Sequence, residues 1–168
     1  MRILVLRHAY AGNVIGKDAR TPKDYARKLQ QDGIDAANAL ADWMSDPKRD
    51  MVPNSIVTSP ITRAVQTAQI LSAAFGIKYT TDETLEISKP VEMYIKKICA
   101  DKSITRPLII AHTDNIMPAL RYLNALDKAD LDPIGMCELR VLKFDRSDCT
   151  WDEKLRMLPS DLGGEDHY

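Results

Sequence analysis

The sequence predicts an α/β protein, a three-layer α/β/α sandwich built around a mostly parallel central sheet. Short apolar runs at 3–6 ("ILVL"), 55–58 ("SIVT") and 107–111 ("PLIIA") are typical of strands that are covered on both faces. Stretches with helical spacing of apolar residues lie between these runs, as the crossovers between parallel strands require. The alternating segments 137–144 ("CELRVLKF") and 151–158 ("WDEKLRML") predict two further strands that pair antiparallel.

The helices and the remaining strand follow from periodicity and from helix-start and helix-end residues. In the polar stretch 13–30, Thr21 followed by Pro22 predicts the beginning of a short helix. Apolar residues share one face over 31–45, and Gly76 predicts the end of another helix over 60–74. The other predicted elements are an edge strand at 77–80 ("IKYT"), a helix at 90–100, and a helix at 116–126 with Pro118 in its first turn.

Length and composition limit the classes of function. The 168 residues suit a single domain over 1–168, in which 160–168 is expected to be a loose polar tail. With 23 Lys plus Arg against 24 Asp plus Glu, neither nucleic acid nor a membrane surface is an expected partner, and no apolar stretch is long enough to span a bilayer. The three widely spaced cysteines indicate neither a disulfide framework nor a zinc site, which favours a cytoplasmic location.

Reactive side chains follow three of the predicted strands directly. Arg7 and His8 come after the first strand, Ser59 and Arg63 after the second, and His112 after the third. The carboxyl ends of parallel strands meet at one edge of a sheet, where ligands bind in open α/β folds. A lone histidine in such a place is more often a hydrogen-bonded structural residue, but two histidines with two arginines favour a site.

Two arginines and two histidines suit phosphoryl chemistry. Guanidinium groups present fixed, permanently charged donors that match phosphate oxygens, so two of them can clamp a phosphoryl group. One neutral imidazole could attack phosphorus in line, while a second, protonated imidazole donates to an equatorial oxygen. This chemistry requires neither a metal nor a cofactor, and the clamp should accept phosphate-like anions such as vanadate or tungstate.

Three motifs carry a family resemblance. "LRHA" at 6–9, "SPITRAVQTA" at 59–68 and "IIAH" at 109–112 resemble the histidine phosphatase superfamily, the phosphoglycerate mutase-like proteins. The resemblance implies that His8 becomes the phosphohistidine and that Arg7, Arg63 and His112 form the phosphate pocket. It also implies that Ser59 supports the floor of that pocket.

The segment 27–44 ("RKLQQDGIDAANALADWM") resembles the small bacterial phosphohistidine phosphatase branch, the SixA-like proteins. Many members of the superfamily carry a helical insertion between the second and third motifs, whereas this chain has only the stretch 80–106. An open site is therefore expected, which suits a phosphorylated protein side chain better than a small sugar phosphate. Ala9 stands where the superfamily often has glycine, so the turn after His8 must accept a Cβ.

The proton donor has two candidates, and either could instead be an ordinary surface carboxylate. Glu86 lies where the mutase-like members place their acid and is the first candidate. Asp114 lies near the acid of the phytase-like members, displaced by one residue, and is the second. Tyr10 and Asn13, which flank the histidine loop, are expected at the rim, where they would contact the leaving group.

These observations predict a metal-independent phosphatase that works through a phosphohistidine intermediate and acts on phosphohistidine in a protein. A small-molecule phosphomonoesterase, acting on a sugar or nucleotide phosphate, is the enzymatic alternative. A non-catalytic module that binds phosphate or a phosphoprotein is the alternative from another class. The expected partner is accordingly a phosphorylated protein or a small phosphorylated molecule.

Overall fold

The computed structural model describes residues 1–13, 19–87, 89, 93–94, 97, 100–123, 133–145, 147 and 150–168. The strands are β1 (Arg2–Arg7), β2 (Ser55–Thr58), β3 (Tyr79–Thr81), β4 (Pro107–Ala111), β5 (Leu139–Asp145) and β6 (Thr150–Met157). The α-helices within these ranges are α1 (Pro22–Tyr25), α2 (Gln31–Ser45), α3 (Thr62–Phe75) and α4 (Thr113–Leu123), and short 3₁₀ helices cover Glu83–Leu85 and Pro159–Leu162. None of these helices combines the length and apolar character that crossing a membrane requires.

The six strands form one sheet in the order β3-β2-β4-β1-β5-β6. The first four of that order run parallel, and β5 and β6 continue the sheet antiparallel, which confirms the predicted mostly parallel sheet. In the register between β1 and β4, Arg7 lies opposite Ala111. His8 and His112, each one residue further, therefore leave the sheet side by side, and the His8 amide donates to the Ala111 carbonyl at 3.0 Å.

Alternation along the strands divides the core between the two faces of the sheet. On one face, Leu4, Leu6 and the neighbouring strands pack against α2 and α3. On the other face, Ile3, Val5 and the alternate strand residues pack against α4 and Tyr94. Each apolar side chain of β1 from Ile3 to Leu6 is thus covered by one helical layer, and the two layers with the sheet between them make the predicted three-layer sandwich.

Most predicted elements are present, although the edge strand predicted at 77–80 covers Tyr79–Thr81 and one helix begins earlier than predicted. Thr21 caps α1, α2 covers the predicted 31–45, and Gly76 ends α3 with a φ of 66°. The helix predicted from 116 instead begins at Thr113, because the His112 carbonyl accepts both the Asn115 and Ile116 amides. Pro118 therefore lies inside the helix, not in its first turn, and cannot donate to the Asp114 carbonyl. The predicted helix at 90–100 and the end of the 116–126 helix lie largely outside the described residues.

The segment 160–168 is not the loose tail that its polar composition predicts. The Ser160 amide and hydroxyl donate to the two carboxylate oxygens of Asp166 at 3.0 and 2.8 Å, which folds the segment back on itself. The His167 carbonyl then accepts the Met136 amide at 2.7 Å. The first contacts depend on the local backbone conformation, and the last joins residues that are distant in sequence. Hydrophilic composition alone therefore does not predict them.

The loop that follows His8 is fixed by a close approach to α2. The Tyr10 carbonyl accepts the Gln30 amide at 3.0 Å. A Cβ on Gly33 would lie 2.2 Å from the Tyr10 carbonyl oxygen, so no other residue fits there without displacing the backbone of one element. Gly33 thereby lets α2 begin directly against the histidine loop.

Candidate active site

A cavity of about 530 Å³ opens at the carboxyl edge of the parallel strands. Arg7, His8, Arg63 and His112, the four residues that the sequence predicts for the phosphate pocket, all line it. The cavity wall also contains Gly12, Asn13, Ala19, Arg20, Asp24, Arg27, Ile87, Thr113, Asp114, Met136 and Tyr168. Four arginines against two aspartates make this wall strongly cationic, although the whole chain carries a net charge of only −1.

His8 is buried at the end of β1, with 4% of its surface exposed. Its Nδ1 lies 2.8 Å from the Ala9 carbonyl oxygen, which can only accept, so Nδ1 carries the proton. Nε2 therefore keeps its lone pair, and the Arg63 Nε–H donates to it at 3.0 Å. Burial lowers the pKa of His8 well below its usual value, and the nearby His112, Arg63 and Arg7 add to this effect. The imidazole is thus neutral, with its nucleophilic nitrogen facing the cations.

Arg63 lies in the first turn of α3 and is only 3% exposed, so it is not a solvated helix-face charge. Besides His8, its guanidinium bonds the Asp24 carbonyl at 3.0 Å and lies 3.6 Å from the Asp24 carboxylate. Burial and the Arg27 charge lower the pKa of Arg63, while the Asp24 charge opposes them. Asp24 therefore both orients Arg63 and offsets part of the cost of burying it.

Asp24 and Arg27 were not predicted from the sequence. The Arg27 Nε–H donates to the Asp24 carboxylate at 2.7 Å, and the same guanidinium donates to the carbonyls of Ala11 and Gly12. Burial alone would raise the pKa of Asp24, but hydrogen bonds from the Arg20 amide and from Arg27 lower it. The sequence does contain one indication that these two side chains pair: in "DYAR" at 24–27 they are three residues apart, and residues with this spacing face the same side of a helical turn.

Arg7 is held by the turn that precedes β5. One terminal nitrogen of its guanidinium donates to the Ile134 carbonyl at 2.7 Å, whereas its buried Nε has no partner among the described residues. Desolvation lowers the pKa of Arg7 to about 10, an effect that the charges of Asp114 and Glu138 oppose. Arg7 remains a cation at neutral pH, with donor capacity left for a ligand in the cavity.

The turn that holds Arg7 depends on Glu138, whose carboxylate is fully buried. This carboxylate accepts the Gly135 amide at 2.6 Å, the Arg140 Nε–H at 2.7 Å and the Arg156 Nε–H at 2.9 Å. The Cys137 amide lies 3.1 Å from the carbonyls of both Arg7 and His8. The turn before β5 thus fixes the backbone of both Arg7 and His8.

His112 lies beside His8, with 5.0 Å between the ring centroids. Its Nε2 is 3.0 Å from the Ser59 hydroxyl, and its buried Nδ1 has no partner in the described part of the chain. Burial, followed by the charges of Arg63 and Arg7, lowers the pKa of His112 to about 3. The protonated imidazole that the sequence analysis predicts is therefore not the resting form, and an anion in the cavity would be needed to stabilise it.

Ser59, which is predicted to support the floor of the pocket, does not itself reach the cavity. It is fully buried, it contacts His112 through its hydroxyl, and it is absent from the cavity wall. Its Oγ also accepts the Ile61 amide at 3.3 Å, which fixes the turn into α3. Ser59 supports His112 from below and has no direct access to a ligand.

The two candidate acids differ in their position relative to the cavity. Asp114 lines the cavity and pairs with Arg20 at 2.9 Å. Glu86 does not line it, and its carboxylate lies 3.8 Å from the Lys89 ammonium group. Of the two candidates, Asp114 is thus the one that lies on the cavity wall. Asp114 reaches the cavity because α4 begins at Thr113, which places the first turn of this helix over the site.

The two predicted rim residues also differ in their position relative to the cavity. Asn13 is exposed and lines the cavity, as expected. Tyr10 does not line it, because its ring stacks on His167 with 3.8 Å between centroids and 12° between planes. Tyr168, which the sequence analysis assigned to a loose tail, lines the cavity in its place.

One group of potential metal ligands occurs among the described residues, away from His8 and His112. Potential ligand atoms of Asp32, Glu165 and His167 lie within 4.8 Å of one another. None of these three side chains lines the cavity. The groups that converge in the cavity are instead arginines and neutral imidazoles, a set suited to anions.

Comparison with solved structures identifies the same fold in other proteins. The SixA protein of Agrobacterium tumefaciens is 24% identical, with a TM-score of 0.74, and the match covers 94% of this chain and 97% of that one. The protein histidine phosphatase SixA complexed with tungstate is 19% identical, with a TM-score of 0.79 and coverage of 96% and 99%. A mycobacterial glucosyl-3-phosphoglycerate phosphatase is 18% identical, with a TM-score of 0.69 and coverage of 92% and 97%.

Sequence comparison adds the family. No curated protein sequence matches the chain significantly. The family model of the histidine phosphatase superfamily (branch 1) matches residues 3–89, which is more than half of the chain and includes Arg7, His8 and Arg63. The chain therefore belongs to the histidine phosphatase superfamily.

Proposed function

We propose that this protein is a phosphatase that transfers a phosphoryl group from phosphohistidine in a protein to His8 and then to water. The observation that carries the proposal is the neutral, tautomerically fixed imidazole of His8, whose Nε2 faces Arg63 inside a cationic cavity. A non-catalytic phosphate-binding module would need the arginines but not this nucleophile. The complete set of two histidines and two arginines therefore favours turnover.

In the first step, His8 Nε2 attacks phosphorus and the bond to the leaving group breaks. The Ala9 carbonyl holds the proton on Nδ1 and stabilises the positive charge that the ring gains. Without a ligand, the Arg63 Nε–H donates to His8 Nε2. An entering phosphoryl oxygen must accept this N–H in place of Nε2 before the lone pair of Nε2 is free to attack. Binding of the phosphoryl group and exposure of the nucleophile are thus coupled through one side chain.

Charge on the phosphoryl oxygens is stabilised by Arg7, Arg63 and His112. The two arginines are oriented by Ile134 and Asp24 before any ligand arrives, which reduces the reorganisation that binding requires. A phosphoryl anion beside His112 raises the pKa of that imidazole from its low resting value, so the ring can gain a proton and donate it in a hydrogen bond. Ser59 keeps the ring in place from below.

Phosphohistidine is the substrate class that these features favour. An imidazole leaves more readily than an alkoxide, so its departure makes little demand on a positioned acid. The SixA proteins with the same fold support a phosphohistidine substrate and the SixA-like branch, as does the short stretch between the second and third motifs.

A phosphomonoester is the second candidate substrate, and a specific observation favours it. Asp114 lies on the cavity wall, where a carboxyl group could protonate a departing alkoxide. The mycobacterial sugar-phosphate phosphatase with the same fold is consistent with this alternative. The two candidates differ in how much they depend on Asp114.

His8 should carry the phosphoryl group during turnover. Rapid acid-free quenching after mixing with ³²P-labelled phosphohistidine peptide is expected to trap an acid-labile, base-stable adduct, which peptide mapping places on His8. His8→Asn should abolish the adduct, and His112→Asn should slow its formation without moving it. An unchanged adduct in His8→Asn would refute the assignment.

Arg7 and Arg63 should each be needed for anion binding and for turnover. Replacing either by Ala is expected to lower kcat/KM by about 10²-fold or more, because one preorganised donor to the developing charge is lost. The inhibition constant of tungstate should rise in parallel. Arg49→Ala is a matched control, since Arg49 lies over the Trp43 ring and outside the cavity wall. Equal effects of the control and either active-site variant would contradict the clamp.

The acid can be tested by comparing leaving groups. Asp114→Asn is expected to leave phosphohistidine hydrolysis nearly unchanged and to slow an alkyl phosphate by about 10²–10⁴-fold, the usual contribution of a general acid. Glu86→Gln is the matched control and should affect neither substrate, since Glu86 lies outside the cavity wall. Equal losses of Asp114→Asn on both substrates would refute the leaving-group argument, and a selective loss in Glu86→Gln would restore the order predicted from the sequence.

A further inference from the structure

We infer that Tyr168, at the end of the segment 163–168, is the residue of the active-site wall that selects the leaving group. The inference rests on the proposed function, because it concerns what is attached to the phosphoryl group that His8 accepts. Tyr168 lines the same cavity as His8 and the arginines, and its side chain is among the few exposed large apolar groups of the described residues, at 63%.

The cavity is lined by two chemically different sets of residues. Arginines and aspartates contribute charge, whereas Ile87, Met136 and Tyr168 contribute apolar surface. Ile87 and Met136 are almost completely buried, so Tyr168 is the member with ring surface available to a ligand. In an in-line transfer the leaving group lies opposite the nucleophile, away from the buried end where His8 lies. A planar leaving group such as imidazole would find an aromatic surface there.

Three contacts hold the segment in this place. The His167 carbonyl accepts the Met136 amide at 2.7 Å, which attaches the segment to the turn that also holds Arg7. The His167 ring stacks on Tyr10, two residues after His8. The Tyr168 ring approaches Gly135 closely, since a Cβ built there would lie 3.5 Å from Tyr168 Cε1.

Tyr10 is therefore a positioning residue. It does not line the cavity, but its ring is the surface on which His167 rests. Removing the Tyr10 ring should release His167 and, with it, the adjacent Tyr168. A substitution of Tyr10, which lies outside the cavity, should therefore change substrate selection.

The test compares two substrates with the same P–N bond, a phosphohistidine peptide and phosphoramidate, whose leaving groups are imidazole and ammonia. In Tyr168→Ala the ratio of kcat/KM between peptide and phosphoramidate should fall about tenfold, the lower end of what one pocket contact contributes. Tyr168→Phe should keep the ratio, since the ring and not the hydroxyl makes the contact. Tyr10→Ala should lower the ratio as Tyr168→Ala does, and the double variant should lower it no further.

Two further measurements separate selection from general damage. The inhibition constant of tungstate should change less than twofold in Tyr168→Ala, because the arginine clamp is untouched. Met93→Ala, which removes another exposed apolar side chain away from the cavity wall, should leave the substrate ratio unchanged. An unchanged ratio in Tyr168→Ala, or a loss of tungstate binding as large as the loss of peptide turnover, would overturn the inference. A parent protein that hydrolyses neither substrate would overturn the proposed function itself, and the inference with it.

Discussion

The hydrogen bond from Arg63 Nε to His8 Nε2, 3.0 Å long, is the interaction on which the rest of the site depends. It can form only if His8 is neutral and protonated on Nδ1, which the Ala9 carbonyl and the burial of the ring ensure. It also requires a buried cation beside the imidazole, and that cation is tolerated because Asp24 lies against it. The same contact therefore orients both Arg63, the proposed phosphate-binding group, and His8, the proposed nucleophile.

The scaffold around this contact joins parts of the chain that are distant in sequence. The register of β1 with β4 aligns His8 with His112, and α3 supplies Arg63 directly after β2. The turn before β5, fixed by the buried Glu138 carboxylate, holds Arg7 from the other side. The site thus combines the parallel half of the sheet, which provides the reactive groups, with its antiparallel half, which orients one of them.

The parts that could be predicted from the sequence depend on local pattern. Apolar runs and helix-end residues located the strands, α2 and the end of α3, and the residues directly after the strands were Arg7, His8 and His112. Arg63 could be predicted because the first turn of a helix after a parallel strand faces the same edge of the sheet. The motifs of the histidine phosphatase superfamily added the chemical roles, which remain to be tested by experiment.

The parts that could not be predicted depend on long-range contacts. Asp114 reaches the cavity because α4 begins at Thr113, and this start depends on the backbone bonds from the Asn115 and Ile116 amides to the His112 carbonyl. Asp24 and Arg27 belong to a polar stretch without periodicity, so only the folded chain brings them to Arg63. The segment 163–168 has the composition of a tail, but it is ordered by Tyr10 and Met136, which lie far away in sequence.

The neutral His8 imidazole is the central claim, and ¹⁵N NMR of histidine-labelled protein tests it most directly. The pKa of His8 lies well below its usual value, so its ring should stay neutral, with the proton on Nδ1, through the pH range near 6.5 in which an ordinary histidine titrates. The Nε2 shift should therefore be that of an unprotonated nitrogen accepting a hydrogen bond, and Arg63→Ala should change it. Titration of His8 near pH 6.5, or a resting tautomer with the proton on Nε2, would contradict the account.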